Sequence, residues 1–512
     1  MSGWRNQHTS LILVLLLYAV ALGILVAKND VVSGSGDPIL YMQQSQNLLH
    51  YDSAFHPPLY SAGIAAVNLV VRNVFAAGKL VSYLSAIGVV WLTWLLAAMC
   101  FKNYRVALLA ASLVAMSPMM IKVSYVVASD MLGTALFLAS VYALALAAEG
   151  ARTPIAVAGL VAGLAYLTRY VFVSAFPAAL VFLLFVVPGT TREKLSRTLW
   201  FVIPFVIVVA PWSITCIARY GDLHNWNHLN IVFGMFSSED SPVWFSDYQK
   251  QYPTFLALLL AQPAAVLRHV AKNAFHFPTE IVLRHGLLAG VFAIVGVLAV
   301  LRNPTIARMS LIVNTFFLLA LLLLTWLQQR FFVPLMPLVL VFACHFLVNG
   351  VGKSLADYWP SSASLFGLLG RVPLRGPVIV LTVLTAAAFC VVRVPRDLKN
   401  SNIDDNKKAG EFVSRNTPED SPVISSSMNA VWYAKRPYLP MSLIRGVEPE
   451  QLAQAVRSTS ARVVLYTGRH SARKLPELRF LLDPNDDRVP SSFRLLYHDT
   501  GEWPVVVYWV EN

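Results

Sequence analysis

Gly34-Ser35-Gly36-Asp37-Pro38-Ile39-Leu40-Tyr41, followed about a dozen residues later by His56-Pro57-Pro58-Leu59-Tyr60, interrupts an otherwise oily chain just after its first apolar run. An acidic residue at the mouth of a first membrane helix, then a short helix and a stiff His-Pro-Pro-Leu-Tyr turn, is hard to explain as solvent decoration. Asp37 before Pro38 is also a standard helix start, with Asp as N-cap and Pro at the first helical position. On local sequence, cap and catalytic carboxylate are equally good readings, and they are compatible because a cap fixes where the carboxylate points. Tyr41 and Gln44 follow at helical spacing on the same face. Two prolines after His56 stiffen the turn and favour an extended backbone there. His56 then has three open roles: a phosphate contact, a metal ligand, or a hydrogen bond within the loop. Asp52, in the turn before it, reads first as a solvated surface carboxylate.

Outward from that loop the chain is a membrane protein. Of 512 residues, 57% are hydrophobic and 13% charged, against roughly 25% charged in soluble domains. The net charge of +13 does not point to nucleic acid, because the basic residues are spread over short loops between apolar runs, as in polytopic proteins that keep Lys and Arg on the cytoplasmic side. Cys100, Cys216, Cys344 and Cys390 each lie in or at the end of an apolar run with no CxxC pair. They read as small packing residues rather than as a disulfide or a thiolate metal site. Leu11 to Ala27, after Arg5, has some signal-peptide character, and Ala21-Leu22-Gly23 is a weak cleavage match. An uncleaved first span is preferred because the topology needs it.

Runs long enough to cross a bilayer, roughly 17–25 residues, are expected at 11–27, 80–100, 106–121, 126–148, 154–169, 171–187, 200–217, 283–301, 309–327, 331–349 and 376–393. The stretch 154–187 requires a tight turn at Thr168-Arg169-Tyr170. A charge at a bilayer centre costs at least about 2.5–3.5 kcal/mol, and a single long helix would invert the positive-inside pattern of everything after it. Gly159 and Gly163 are spaced for close helix contact. The expected architecture is a polytopic α-helical bundle of about eleven spans over 1–393, with the N-terminus inside. Its external loops are 28–79, holding short helices at 37–50 and 58–73, and 218–282, rich in aromatics: Trp226, Phe233, Phe236, Trp244, Phe245, Tyr248 and Tyr252. A soluble α/β domain over 394–512 completes the chain, with strands at 422–427, 461–467, 493–498 and 504–510 and helices at 405–416 and 448–459. It carries no Gly-rich phosphate loop or metal-ligand cluster.

Further polar residues sit at the outer ends of spans. Asp130, in Val127-Ala128-Ser129-Asp130-Met131, is an N-cap by its bland reading and a functional candidate by its depth. Lys122 and Tyr125 extend its cluster. Arg169 and Arg330 stand on the side where positive charge is disfavoured; they either snorkel to lipid phosphates or face one anionic ligand through planar bidentate donors.

The ordered set Asp37, Pro57 to Tyr60, Asp130, Leu167-Thr168-Arg169, Ala210-Pro211-Trp212 and Arg330 to Pro337 resembles the GT-C membrane glycosyltransferases, in the protein mannosyltransferase and aminoarabinose transferase branch, over about residues 30 to 345. One departure is His56, where aminoarabinose transferases place a Lys before the paired prolines. The resemblance implies a sugar on a polyprenyl monophosphate, presented from the outer leaflet of a cell inner membrane, and a glycan, lipid or protein acceptor. It implies Asp37 as general base with inversion, Asp130 as a second catalytic carboxylate, Arg169, Arg330 and His56 at the donor phosphate, and Tyr41, Tyr60 and Lys122 at the substrate. No cofactor is required; the loop's His and carboxylates permit a divalent ion but no spacing demands one. Two other readings stay open: a proton-coupled transporter built on Asp130 and Arg169, against which stands the lack of internal repeats, and an oligosaccharide polymerase or ligase using a diphosphate-linked donor.

Overall fold

The computed structural model describes residues 2–32, 36–48, 56–147, 152–221, 223, 228–236, 248–285, 287–325, 329–350, 375–401, 403–469 and 471–511. The chain forms two units. The first comprises Met1–Lys28, Gln44–Ser237 and Val243–Asp397; the second includes Asn29–Gln43 and Leu398–Asn512.

The first unit is helical. Its elements are α1 (Ser2–Lys28), the end of α2 (Asp37–Gln46), α3 (Leu59–Val71), α4 (Val74–Phe101), α5 (Tyr104–Ala115), α6 (Pro118–Ser124), α7 (Asp130–Leu146), α8 (Arg152–Thr168), α9 (Ala175–Val181), α10 (Thr191–Tyr220), α11 (Leu229–Phe236), α12 (Phe255–Ala261), α13 (Pro263–His285), α14 (Leu287–Arg302), α15 (Ile306–Leu324), α16 (Met336–Asn349) and α17 (Arg375–Ser401). Among the described residues five helices are long and apolar enough to cross a membrane, or seven if each of two bent pairs counts as one span. The remaining apolar helices are shorter. Every expected run overlaps helix, but several differ in detail. The run 106–121 breaks at Met116-Ser117 before Pro118, with a 60° bend between α5 and α6. The run 126–148 starts its helix only at Asp130, and 171–187 is a 3₁₀ turn (Tyr170–Ser174), α9 and a π turn (Phe182–Val186) in series. The larger correction concerns 218–282. It is not mainly loop: α11, α12 and α13 fill most of its described part, and α12 and α13 meet at 100°. Gln262-Pro263 makes the corner, since a proline restricts the residue before it, and the bent pair is apolar enough to count together as one span.

Packing in the bundle follows the glycines at one seam. A Cβ on Gly159 would overlap the Phe201 carbonyl oxygen of α10, and one on Gly163 would lie 3.1 Å from Val208 Cβ and 3.2 Å from the Phe205 carbonyl oxygen. Helices α8 and α10 therefore meet backbone to backbone, the geometry small residues permit in a membrane. A capping box starts α10, with Thr190 and Glu193 exchanging bonds, and Gly221 ends it in the left-handed conformation.

The second unit is a five-stranded sheet in the order β2-β1-β3-β5-β4, with β1 (Val423–Ser425), β2 (Tyr438–Pro440), β3 (Val463–Thr467), β4 (Phe493–Asp499) and β5 (Val505–Val510). β2, β1 and β3 are parallel; β5 runs antiparallel to β3 and β4. Side chains alternate between two cores, as the period of a strand requires. Ile424, Val464, Tyr466, Val506 and Tyr508 share one core with Leu452 and Val456 of α20 (Leu452–Ser458). Val423, Val463, Leu465, Val505 and Val507 share the other with α18 (Asp405–Asn416) and α19 (Met428–Ala434). All five residues of β3 are buried, as expected of a strand covered on both faces.

The membership of Asn29–Gln43 in this second unit differs from the expected grouping of 28–79 with the bundle. The reason is a set of contacts to α18 and α19. The Val32 N–H donates to the Tyr433 hydroxyl oxygen at 2.7 Å, Asp30 pairs with Lys407 at 3.6 Å, and Gly36 abuts Met428.

Candidate functional site

Asp37 opens α2, but it is not the cap. The Gly36 carbonyl oxygen accepts from the Ile39 and Leu40 N–H groups, each at 3.0 Å. That carbonyl takes the first helical bonds, so Gly36 is the N-cap and Asp37 the first helical residue. A carboxylate in the first turn still gains from the positive end of the helix dipole. One turn on, Tyr41 and Met42 are buried.

The far end of α2 lies in the first unit and holds the His-Pro-Pro-Leu-Tyr turn. Gln44 is buried. Its Oε1 accepts from Ser61 Oγ at 2.7 Å, and its Nε2 donates to the His56 carbonyl oxygen at 3.5 Å. The turn thus leads straight into α3. Tyr60, expected at the substrate, is fully buried. Its hydroxyl donates to the Gly78 carbonyl oxygen at 3.0 Å, accepts from the Ala128 N–H at 2.8 Å and lies 2.8 Å from Ser82 Oγ. Ser82 Oγ also donates to the Ala128 carbonyl oxygen at 3.0 Å. Both backbone groups of Ala128 are fixed in this way, two residues before Asp130. An aromatic with a polar tip suits the task, since its ring fills the interior and its hydroxyl finds partners there.

Asp130 is 2% exposed at the start of α7. Its Oδ1 accepts from Arg169 Nη1 in a close ion pair. Arg169 stands in extended backbone between α8 and the 3₁₀ turn, where the sequence required a break. The guanidinium of Arg169 lies 5.3 Å from the centre of the Phe331 ring, and that of Arg330 lies 5.6 Å from the same centre. The two cations therefore stand within about 11 Å of each other, each in cation–π range of one shared ring. Beside Arg169, the Tyr170 hydroxyl accepts from Trp212 Nε1 at 2.9 Å, which ties the Ala210-Pro211-Trp212 segment to the same corner. The structure thus brings Asp130, Arg169 and Arg330 together through Phe331, a residue the sequence reading included in the Arg330 to Pro337 motif but gave no role.

Lys122 is paired 3.8 Å from Asp397, which Arg393 also approaches at 3.5 Å. Asp397 was missed; its signal was an acidic residue directly after the last apolar run. Lys79 was missed as well. It is buried at the start of α4, donates to the Val26 carbonyl oxygen at 2.9 Å and sits 4.7 Å over the Phe75 ring. Phe236, Tyr248 and Tyr252 form a stack with centroids 5.9 and 6.1 Å apart. Asp52, Trp226, Trp244 and Phe245 lie outside the described residues. Among the described residues no three His, Cys, Asp or Glu side chains gather as a metal site would require.

Residues 55–214 match the family model described as dolichyl-phosphate-mannose-protein mannosyltransferase. The match spans His56, Tyr60, Lys122, Asp130 and Arg169. No curated protein sequence matches the chain. Among solved structures, ArnT from Cupriavidus metallidurans bound to undecaprenyl phosphate aligns with a TM-score of 0.63 at 13% identity, over 99% of this chain and 98% of that one. The archaeal oligosaccharyltransferase AglB from Archaeoglobus fulgidus, in complex with an inhibitory peptide and a dolichol-phosphate, aligns at 0.61 and 14% identity over 89% of this chain and 69% of its own. The arabinofuranosyltransferase AftD from Mycobacteria aligns at 0.51 and 13% identity over 97% of this chain and 41% of its own. At such identities the likeness is one of fold. The chain has the GT-C fold, and the resemblance read from its motifs is borne out, in sequence over 55–214 and in architecture over nearly the whole chain.

Proposed function

We propose that this chain is a membrane glycosyltransferase that moves one sugar from a polyprenyl-phosphate donor to an acceptor outside the cytoplasm. The observation that carries the reading is the convergence of Arg169 and Arg330 on Phe331, with Asp130 holding Arg169. Two guanidiniums on one aromatic wall make a site for a monoanionic or dianionic phosphate, which planar bidentate donors bind well. Asp130 engages Nη1 of Arg169, and a guanidinium has five N–H donors in all, so the pair both orients Arg169 and leaves it donors to offer. Two of the aligned structures were determined with a polyprenyl phosphate, undecaprenyl phosphate in ArnT and dolichol-phosphate in AglB.

In the proposed reaction an acceptor hydroxyl or amine attacks the anomeric carbon while the carbon–oxygen bond to phosphate breaks. The bonding pair leaves with the phosphate, and Arg169 and Arg330 stabilise that charge. Asp37 takes the proton from the acceptor as general base, and a single displacement inverts the anomeric centre. Asp130 acts by orienting Arg169, and Tyr60 by fixing the backbone that delivers Asp130. His56, Tyr41 and Lys122 are assigned to donor and acceptor contacts.

The test uses the purified full chain in detergent with a panel of radiolabelled polyprenyl-phosphate sugars. Asp37→Asn should lose transfer and keep donor binding. Arg330→Ala should weaken donor binding, with Kd rising about tenfold or more, as expected for a lost charge-assisted contact. Wild-type turnover in Asp37→Asn would remove the base; no binding and no turnover across the panel would favour the transporter reading, with Asp130 as the next residue to change.

A further inference from the structure

The segment carrying Asp37 is folded as part of the C-terminal module. It runs Asn29–Gln43 in the second unit, and its contacts there come from two helices. Lys407 belongs to α18; Met428 and Tyr433 belong to α19. The two helices are themselves joined by Ser427, which caps α19 and donates through Oγ to Asn406 Oδ1 at 2.7 Å.

The three contacts are not equal. The Asp30–Lys407 pair spans 3.6 Å, but Asp30 is 70% exposed, and exposed pairs are worth little. The Val32 N–H to Tyr433 hydroxyl bond, at 2.7 Å, starts from a buried backbone amide. Losing the hydroxyl would strand that donor. The third contact is steric. Gly36 has no side chain, and a Cβ there would come within 2.7 Å of Met428 Sδ. Gly36 is also the residue whose carbonyl starts α2, one position before Asp37. Its placement fixes where the helix begins and hence where the carboxylate is anchored.

We propose that Tyr433 and Met428 of the C-terminal module are positioning residues for Asp37: the module holds the 29–43 segment in its working conformation throughout turnover. This rests on the reading of Asp37 as base. Tyr433 pins the segment by a backbone bond, and Met428 sets the approach distance at Gly36. The module then positions the proposed base, beyond any part in acceptor recognition.

The geometry supplies its own test. The Cβ built on Gly36 lies 3.8 Å from Met428 Cβ, within the range a disulfide spans, about 3.5–4.5 Å. Truncating Met428 to Cys also removes the sulfur that a Gly36 side chain would meet. Three proteins are compared with wild type as full chains in detergent: Asp37→Asn, Tyr433→Phe, and Tyr433→Phe combined with Gly36→Cys and Met428→Cys. Turnover, donor KM, thermal midpoint and gel mobility with and without dithiothreitol are read for each. Expected are an inactive Asp37→Asn and a Tyr433→Phe protein whose kcat drops about ten- to a hundredfold, the scale of a misplaced catalytic group, with KM unchanged and the midpoint lowered only by the cost of one stranded donor. The oxidised triple variant should recover turnover and lose it again on reduction. If Asp37→Asn is dead while Tyr433→Phe keeps wild-type kcat, the positioning role is refuted and the base stands. If the oxidised triple variant is inactive and reduction restores it, the segment has to leave the module during turnover and the proposal is refuted. If Asp37→Asn turns over normally, it is the base assignment that fails. A Tyr433→Phe protein that does not fold leaves Gly36→Cys/Met428→Cys alone as the decisive variant, with full activity when oxidised as the expected result.

Discussion

Removing one oxygen at Tyr60 should unsettle Asp130 from two residues away. In Tyr60→Phe the ring stays and the hydroxyl goes, and with it the bonds to the Gly78 carbonyl oxygen, Ser82 Oγ and the Ala128 N–H. The losses are cushioned unequally. Ser82 Oγ lies 3.3 Å from the Gly78 carbonyl oxygen, an alternative acceptor for its one proton, and accepts from the Ala128 N–H at 3.3 Å. Neither group is orphaned outright, so the cost should sit near that of a lost but compensated hydrogen bond, about 1 kcal/mol. Ser82→Ala alone leaves Tyr60 in place and costs about 1 kcal/mol, mainly the bond to the Ala128 carbonyl oxygen. The double variant leaves the Ala128 N–H without either partner, so its cost should exceed the sum of the singles by about 1 kcal/mol or more. Denaturant titration of the four proteins in one detergent measures this cycle. Additive effects, or a Tyr60→Phe protein within about 0.5 kcal/mol of wild type, would refute the argument that this hydroxyl fixes the approach to Asp130.

Three further outcomes are expected. Asp130→Ala should strand the Arg169 guanidinium, whose side chain is 16% exposed, and destabilise the bundle by up to about 3–5 kcal/mol; adding Arg169→Ala should restore part of the loss in the same titration, and a double variant worse than both singles would count against a paired interior charge. Gly159→Val should cost about 3 kcal/mol or more, read as loss of monodisperse protein, because the Phe201 backbone has to move; Gly376→Ala, with nothing within 4 Å of its Cβ, is the neutral control. Burial raises the pKa of Asp405 above the usual carboxylate value, with Asn406 and Arg469 opposing. Its charged form is disfavoured in the fold, so the module should gain stability from this residue as pH falls through the raised pKa towards the unfolded one. Asp405→Asn should therefore raise the thermal midpoint at neutral pH and make no difference below the ordinary carboxylate pKa; equal midpoints at pH 7 would contradict it.

Much of this was legible because strong local signals agree with the fold. Helix 405–416 matches the expected span, and strands at 461–467, 493–498 and 504–510 were read within two residues of β3, β4 and β5, since period-two apolar runs between turns have few other uses. The break at Arg169 was legible from electrostatics alone. What was not legible depended on distant partners. β2 is three residues ending in proline and exists because β1 offers it an edge. Asp37 looked like a cap until the Gly36 carbonyl took that position. The setting of Tyr60 was not legible either, because a sequence cannot show that Gly78, Ser82 and Ala128 surround its hydroxyl. Phe331 lies inside the Arg330 to Pro337 motif, but its proximity to Arg169 as well as Arg330 joins segments far apart in sequence.

The glycine seam between α8 and α10 also limits how any lipid substrate reaches the interior. At Gly159, and again at Gly296 of α14 against the Phe342 carbonyl oxygen of α16, one helix rests on the bare carbonyls of another, which leaves no room at those points for even a methyl group. These two contacts behave as welded joints, and entry of the polyprenyl donor proposed above is expected between other helices.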